Sequence, residues 1–285
     1  MNLSYLMQVQ QLIELVRDQS YDSGRKKILS SLIKNYDPLS LDQLKAINDC
    51  HSYDSGRIEA TQVIYYASKI NIKNASLNDL INLANGMSYD SGRHSLFQIL
   101  VELKPSLDLS GLNQLMGCYS YDEGRYHVFS QFLNKSLIFN INNGDIVSGL
   151  SGFSYDQSKV KYLTDLLPSM TDLKTATELE NLLNTFSYNK DQIIKKVRHL
   201  IKCSQDDLCR IISQNITAEP QYLAFCKELN LPTNLVDKYL DNVKANATVC
   251  ISISTNGNSN STPVFNMANY PKGSKVTING MTFQF

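Results

Sequence analysis

The side chains able to do chemistry are scattered along this chain. Its four histidines, His51, His94, His127 and His199, have no Cys or Glu at a spacing that suits a metal centre. No glycine-rich phosphate loop and no nucleophile elbow is present. Asp22, Asp54 and Asp90 each precede Ser-Gly, which has some likeness to a calcium loop. A single Asp with an Arg three residues on is a poor cation site, because calcium needs several converging oxygens. The sequence therefore predicts no catalytic, cofactor-binding or metal residues, and no enzyme.

What does recur at fixed spacing is an aromatic ring with a cation four residues on. The pairs are Tyr21 and Arg25, Tyr53 and Arg57, Tyr89 and Arg93, Tyr121 and Arg125, and Tyr155 and Lys159. Such a ladder is suited to recognition, by stacking and charge. Each pair sits in a copy of Ser-Tyr-Asp-Ser-Gly-Arg, exact at 20–25, 52–57 and 88–93 and with Glu123 in the fourth. Two weaker copies are centred on Tyr155 and Tyr188. Successive tyrosines lie 32, 36, 32, 34 and 33 residues apart. A period in that range marks a stacked repeat protein.

Aspartate ahead of Gly, Arg and an apolar run predicts a helix start, with Asp as the N-cap. The Arg falls where the helix dipole disfavours it, so it is expected to pair with its own Asp or the next repeat's. Glycine in a first turn costs about 1 kcal/mol in propensity. Its recurrence implies that a neighbouring element passes close. For the tyrosine, the expected role is structural: a ring packed between the two helices of a pair, its hydroxyl meeting water or a backbone group. The alternative is a ladder read by a partner.

The flanks predict helix-turn-helix units. Nine residues before the tyrosines stand Leu12, Leu44, Leu80, Leu112, Ile146 and Leu179. Six before them stand Leu15, Ile47, Leu83, Leu115 and Leu182, with Gly149 as the exception. After the first tyrosine, Ile28, Leu29, Leu32 and Ile33 form the apolar face of a second helix. Ser40 with Gln43, Ser76 with Asp79, Thr175 with Glu178 and Ser204 with Asp207 supply capping pairs where new first helices are due. Pro105 and Pro168 fall just past second helices. A divergent seventh unit includes Ile211, Ile212, Tyr222 and Phe225. A last helix after Pro232 carries Leu235, Tyr239, Leu240 and Val243.

The fold class predicted is mainly α, an α-solenoid of about six to seven repeats of roughly 33 residues over 1–245, with a small C-terminal β segment over 246–285. Ala247 to Ser254 alternates with period two. Val276 to Phe285 reads as strand, Asn-Gly turn, strand. Val276, Ile278, Phe283 and Phe285 need cover. Capping of the last helices is the expected role, and pairing with a second copy, giving an oligomer, is the alternative.

The helix, then aromatic-Ser-aromatic and a few polar residues before Lys or Arg, resembles the helical-repeat family known as domain of unknown function 4476. The motif is clearest at Gly152 to Val160 and Cys118 to Tyr121, and matching positions run from about Leu12 to Leu200. The resemblance implies helical repeats and no established activity.

Of 285 residues, 27 Lys and Arg balance 27 Asp and Glu. That neutrality, with an Asp beside each Arg, disfavours nucleic acid or anionic lipid as a partner. No run reaches membrane-span length and no signal pattern opens the chain. Six cysteines without repeat phase or Cys-x-x-Cys spacing are expected to be free thiols in a reducing compartment. The expectation is a cytoplasmic, non-enzymatic scaffold for a protein or peptide partner.

Overall fold

The computed structural model describes residues 3–216, 218–249, 275–278 and 281–284, and side chains from Val9 to Lys244 apart from Thr217. The described residues are mainly helical, and the chain divides into two compact units, Met1–Thr171 and Asp172–Phe285.

The first unit holds five helix pairs: α1 Leu3–Arg17 and α2 Asp22–Leu32, α3 Leu41–Asn48 and α4 Asp54–Tyr66, α5 Leu77–Asn85 and α6 Asp90–Leu100, α7 Leu109–Met116 and α8 Asp122–Asn134, α9 Asn143–Ser151 and α10 Asp156–Leu166. Within this unit each first helix packs on the next first helix, α1 on α3 and so on to α7 on α9. The second helices do the same, from α2 on α4 to α8 on α10. The expected apolar stripe makes these contacts. Leu12, Leu44, Leu112 and Ile146 are wholly buried, as are Ile47 and Leu115. Leu15 departs from the stripe and is 44% exposed.

Gly149 breaks the stripe because a large partner takes its place. The Tyr162 hydroxyl lies where a Cβ on Gly149 would stand, and it donates to Asn113 Oδ1 at 2.9 Å. In the second pair the core is partly polar: buried Asn48 donates to Thr61 Oγ1 at 3.1 Å, and Thr61 donates to the Arg57 carbonyl at 2.9 Å.

Helix starts follow local chemistry. Ser40 with Gln43 and Ser76 with Asp79 form complete capping boxes on α3 and α5. Asp108 and Asn142, not foreseen, cap α7 and α9 by accepting from Gly111 and Asp145 amides. Just before the caps, short extended segments pair in parallel. Strand β1 Leu107–Asp108 lies on β2 Ile138–Phe139, and an isolated bridge joins Leu39 to Ile70.

The second unit holds α11 Ala176–Asn184, α12 Lys190–Val197, α13 Gln205–Asn215, α14 Glu219–Glu228 and α15 Thr233–Val249. Thr175 with Glu178 forms the capping box of α11, and Ser204 caps α13. Helix α15 packs on α13 and α14, burying Val236 and Val243, while Leu235, Tyr239 and Leu240 are half-buried. The strand expected from Ala247 is corrected over its first three residues, which continue α15 to Val249. Ala245 and Ala247 are strong helix formers that extend the turns already set by Val243. The rest of that segment, to Ser254, lies outside the described residues, as do Asn279, Gly280 and Phe285. Strands β3 Lys275–Ile278 and β4 Met281–Gln284 pair antiparallel, Val276 opposite Phe283. The side-chain cover expected for Val276, Ile278, Phe283 and Phe285 also lies outside the described residues.

Candidate functional site

The repeated motif spans the turn between the helices of a pair, and its residues divide into an inner and an outer set. The N-cap position belongs to the tyrosine. Tyr21, Tyr53, Tyr89, Tyr121 and Tyr155 have extended backbones and make no side-chain cap bond, and the Asp that follows is the first helical residue. The expected Asp cap is therefore corrected. The carboxylate is free to turn away from its own helix, and it reaches the next repeat.

That reach is regular. Asp54 accepts from the Ser88 amide at 2.9 and 3.0 Å and from the Tyr89 amide at 3.0 Å. Asp90 accepts from Ser120 at 3.0 Å and from Tyr121 at 3.0 Å. Asp122 accepts from Ser154 at 2.9 Å and from Tyr155 at 2.8 Å. In the first repeat the grip is looser, with the Ser52 amide 3.4 Å from Asp22. Each Asp also binds its own cation: Arg25 at 2.6 Å, Arg57 at 3.0 Å, Arg93 at 2.8 Å, Arg125 at 3.0 Å, and Lys159 to Asp156 at 3.5 Å. Arg93 extends the network backwards, donating to the Ala84 carbonyl in the last turn of α5 and to the Met87 carbonyl just past it. The cations are thus mostly buried and neutralised.

In the second and third copies the glycine lies against the same clasp, although the Asp122 grip forms in the fifth copy, where Ser158 takes the glycine's place. A Cβ on Gly56 would stand 2.5 Å from Asp22 Oδ2, and one on Gly92 would stand 2.5 Å from Asp54 Oδ2. At Gly24, in the first copy, the three nearest heavy atoms all belong to Gln19, at 3.3 Å and beyond. The element expected to pass close is the previous repeat's carboxylate.

Burial alone would raise the Asp54 carboxyl. The Ser88 and Tyr89 amides and the Arg57 guanidinium outweigh it and hold Asp54 below the usual 3.8. Asp22 is likewise held low, against the same burial effect, by Arg25 and the Ser52 amide. His51 lies beside this first clasp, 2% exposed, with Nδ1 3.1 Å from the Ile47 carbonyl. Burial pushes its imidazole below the usual 6.5. Met87, Tyr119, Phe153 and Phe186 occupy the same place, two residues before their tyrosines, and all are buried.

From Tyr53 onward that preceding residue fills the interior and the motif tyrosine points outward; Tyr21 points outward too, with half-buried Gln19 two residues before it. The expectation of a ring packed between paired helices is corrected. In the first unit, Tyr21, Tyr53, Tyr89, Tyr121 and Tyr155 are 72–77% exposed, and in the second Tyr188 is 75% exposed. The ladder thus separates into exposed rings and enclosed cations. Exposed serines flank the rings, among them Ser52, Ser55, Ser88 and Ser91.

Elsewhere the repeat brings His94 and His127 together, with ring centroids 4.9 Å apart. Among the described residues, no group of three His, Cys, Asp or Glu is placed to hold a metal. The described cysteines, Cys50, Cys118, Cys203, Cys209 and Cys226, are unpaired thiols. An open groove of about 710 Å³ in the second unit is lined by Tyr188, Asn189, Lys195, Gln214, Phe225 and Glu228. Among the described residues, no helix is long and apolar enough to cross a membrane.

Residues 6–67 match the family model described as Domain of unknown function (DUF4476). The matched stretch covers most of α1, all of α2 to α4 and the clasp from Asp22 to Ser52. No curated protein and no solved structure matches the chain.

Proposed function

We propose that the chain is a non-enzymatic scaffold, an α-solenoid of about six to seven helix-turn-helix repeats along the sequence, that binds a protein or peptide partner along its tyrosine edge. One observation carries this reading: rings that could have been buried are 72–77% exposed at the same motif position in every pair of the first unit. Large aromatic rings supply much of the energy at protein interfaces. The serial packing of α1 to α10 supports the solenoid, since such arrays present long repeating surfaces.

Binding of nucleic acid or anionic lipid through the cation row is the weaker alternative. Arg25, Arg57, Arg93 and Arg125 already hold carboxylates at 2.6–3.0 Å, so phosphate contact would have to break a clasp. The test is affinity capture with mass spectrometry, comparing the natural chain with one carrying Tyr→Ser at positions 21, 53, 89, 121 and 155. Loss of a salt-insensitive polypeptide partner in the variant is expected. Unchanged capture, or retention on heparin or RNA that falls steeply with salt, would overturn the reading.

A further inference from the structure

Between the sixth and seventh copies, both in the second unit, the carboxylate clasp is missing and the open groove stands at that junction. The seventh copy aligns by its buried residue and its helix start. Ile216 is buried two residues before Ala218, the N-cap of α14, as Met87 is buried two residues before Tyr89, the N-cap of α6. Gln221 then stands where the third copy has Gly92. In the sixth copy, Asn189 and Gln192 stand where the second has Asp54 and Arg57, so no charged grip forms. Asn189 has a left-handed backbone, φ 55° and ψ 33°, and makes no side-chain cap bond. Among the described residues, neither its carboxamide nor the Ala218 amide makes a hydrogen bond, whereas the corresponding Tyr89, Tyr121 and Tyr155 amides are all held by a carboxylate. Asn189 and Gln221 line the groove from its two sides of the junction. Its volume, about 710 Å³, falls within the range of ligand sites.

The walls suit an uncharged occupant rich in hydrogen bonds. Lys190 and Lys195 line the groove together with Asp191 and Glu228. Lys195 pairs with Glu228 at 2.7 Å and lies over the Phe225 ring at 5.2 Å, so an anion would have to break that pair. Asn189, Gln214 and Gln221 are exposed carboxamides, each with donors and an acceptor side by side. A main-chain peptide group carries the same two functions. The register points to that occupant as well. At the equivalent position in the first unit, Asp54, Asp90 and Asp122 each hold two consecutive main-chain amides. The chain they hold is extended, with Tyr89 at φ −126° and ψ 152°.

The five rings of the scaffold reading belong to the first unit, and this groove goes beyond them. We propose that the groove of the second unit binds an extended, uncharged segment of a polypeptide partner by its main chain, with the Asn189 carboxamide accepting from main-chain N–H groups as Asp54 does from Ser88 and Tyr89.

The experiment is a nuclear magnetic resonance titration of the isotope-labelled full chain with N-acetyl-Gly-Met-Ser-Tyr-amide. That peptide is the uncharged sequence of residues 86–89, which Asp54 holds by its last two amides. Saturable shifts of the Asn189 and Gln221 side-chain signals are expected, little changed by salt. The same peptide N-methylated at Ser and Tyr lacks both N–H groups and should bind more weakly by about tenfold or more. Asn189→Gly tolerates the left-handed backbone and removes the carboxamide. It should weaken binding to a similar degree, with unchanged circular dichroism. Asn189→Asp keeps acceptor oxygens and should bind the peptide at least as tightly as the natural chain. Absence of saturable shifts overturns the proposal. So does equal binding of the methylated peptide, unchanged affinity in Asn189→Gly, loss of affinity in Asn189→Asp, or binding of cellotetraose or inorganic phosphate at these signals in place of the peptide. If the peptide fails while the five-tyrosine variant loses its polypeptide partner, this inference falls and the scaffold reading stands. If the peptide binds while that variant captures its partner unchanged, the tyrosine edge falls and the groove stands.

Discussion

The carboxylate of Asp54 lies 3.0 Å from the backbone nitrogen of Tyr89, a residue 35 positions further along the chain. An acidic side chain in the first turn of one helix thus fixes the backbone that leads into the corresponding helix of the next repeat. The contact joins charge, main chain and repeat register in one place, and it makes the motif testable at a distance.

Asp54→Asn should lower stability by about 1.5–3 kcal/mol, the range for hydrogen bonds to a charged group. Chemical denaturation measures the loss. Hydrogen exchange adds the diagnostic, because the Ser88 and Tyr89 amides should lose protection although the change is in the preceding repeat. A simple helix cap would instead expose amides next to Asp54. Asp22→Asn should cost less, since its contact to Ser52 is 3.4 Å.

Gly92→Ala and Gly24→Ala should differ in sign. At Gly92 the new methyl meets Asp54 Oδ2 at 2.5 Å, held there by its own bonds, so a loss of about 1–3 kcal/mol is expected. At Gly24 the nearest atoms belong to the flexible Gln19 side chain, which can move aside, and the helical preference for Ala gains up to about 1 kcal/mol. Adding Asp54→Ala to Gly92→Ala should relieve the clash. Melting curves in which the two changes simply add would remove the clasp as the reason for the glycine.

Stability should fall with acid in two steps. His51 has a depressed value, so its neutral form is the folded one. The contribution is fully present above the usual 6.5 and is lost as pH drops from there through the folded value. Asp22 and Asp54 are also depressed, so theirs is present above about 3.8 and lost as pH drops through their lower folded values. His51→Met, the counterpart of Met87, should reduce the upper step and keep the lower, with His94, also held below 6.5 by burial and by His127, supplying the remainder. Thermal melts at pH 7.5, 5.5 and 3.5 test this. An upper step of unchanged size in the variant would assign it elsewhere.

Leu112→Ala should cost about 2–5 kcal/mol, because Leu112 is wholly buried. Leu15→Ala, at the parallel stripe of the first helix, should change stability by less than about 1 kcal/mol, since that side chain is 44% exposed. Equal losses in denaturant titrations would contradict the described packing of α1.

Much of the helical framework was legible because it rests on local rules. The aliphatic spacing around each tyrosine and the cap pairs at Ser40, Ser76, Thr175 and Ser204 each state a helix and its start. The site was legible only as a recurrence. Whether Asp54 caps its own helix or follows the cap turns on a single residue step, and both arrangements suit an acid at a helix start. The direction of Tyr53 depends on His51 having taken the interior place, which is a matter of packing. The Leu107 to Ile138 pairing is too short to leave a periodic signal. At Ala247 to Val249 an alternating pattern competed with alanine-rich helix propensity, and continuation of α15 prevailed.

The clasp has a consequence for how such a chain changes in length. Asp54, Asp90 and Asp122 grip main-chain amides, which nearly every residue type supplies. The connection between units is correspondingly unconstrained: motif intervals of 32 and 36 residues both end in the same grip. Whole units are open to duplication, excision or exchange, while a change inside a single motif disturbs two units at once.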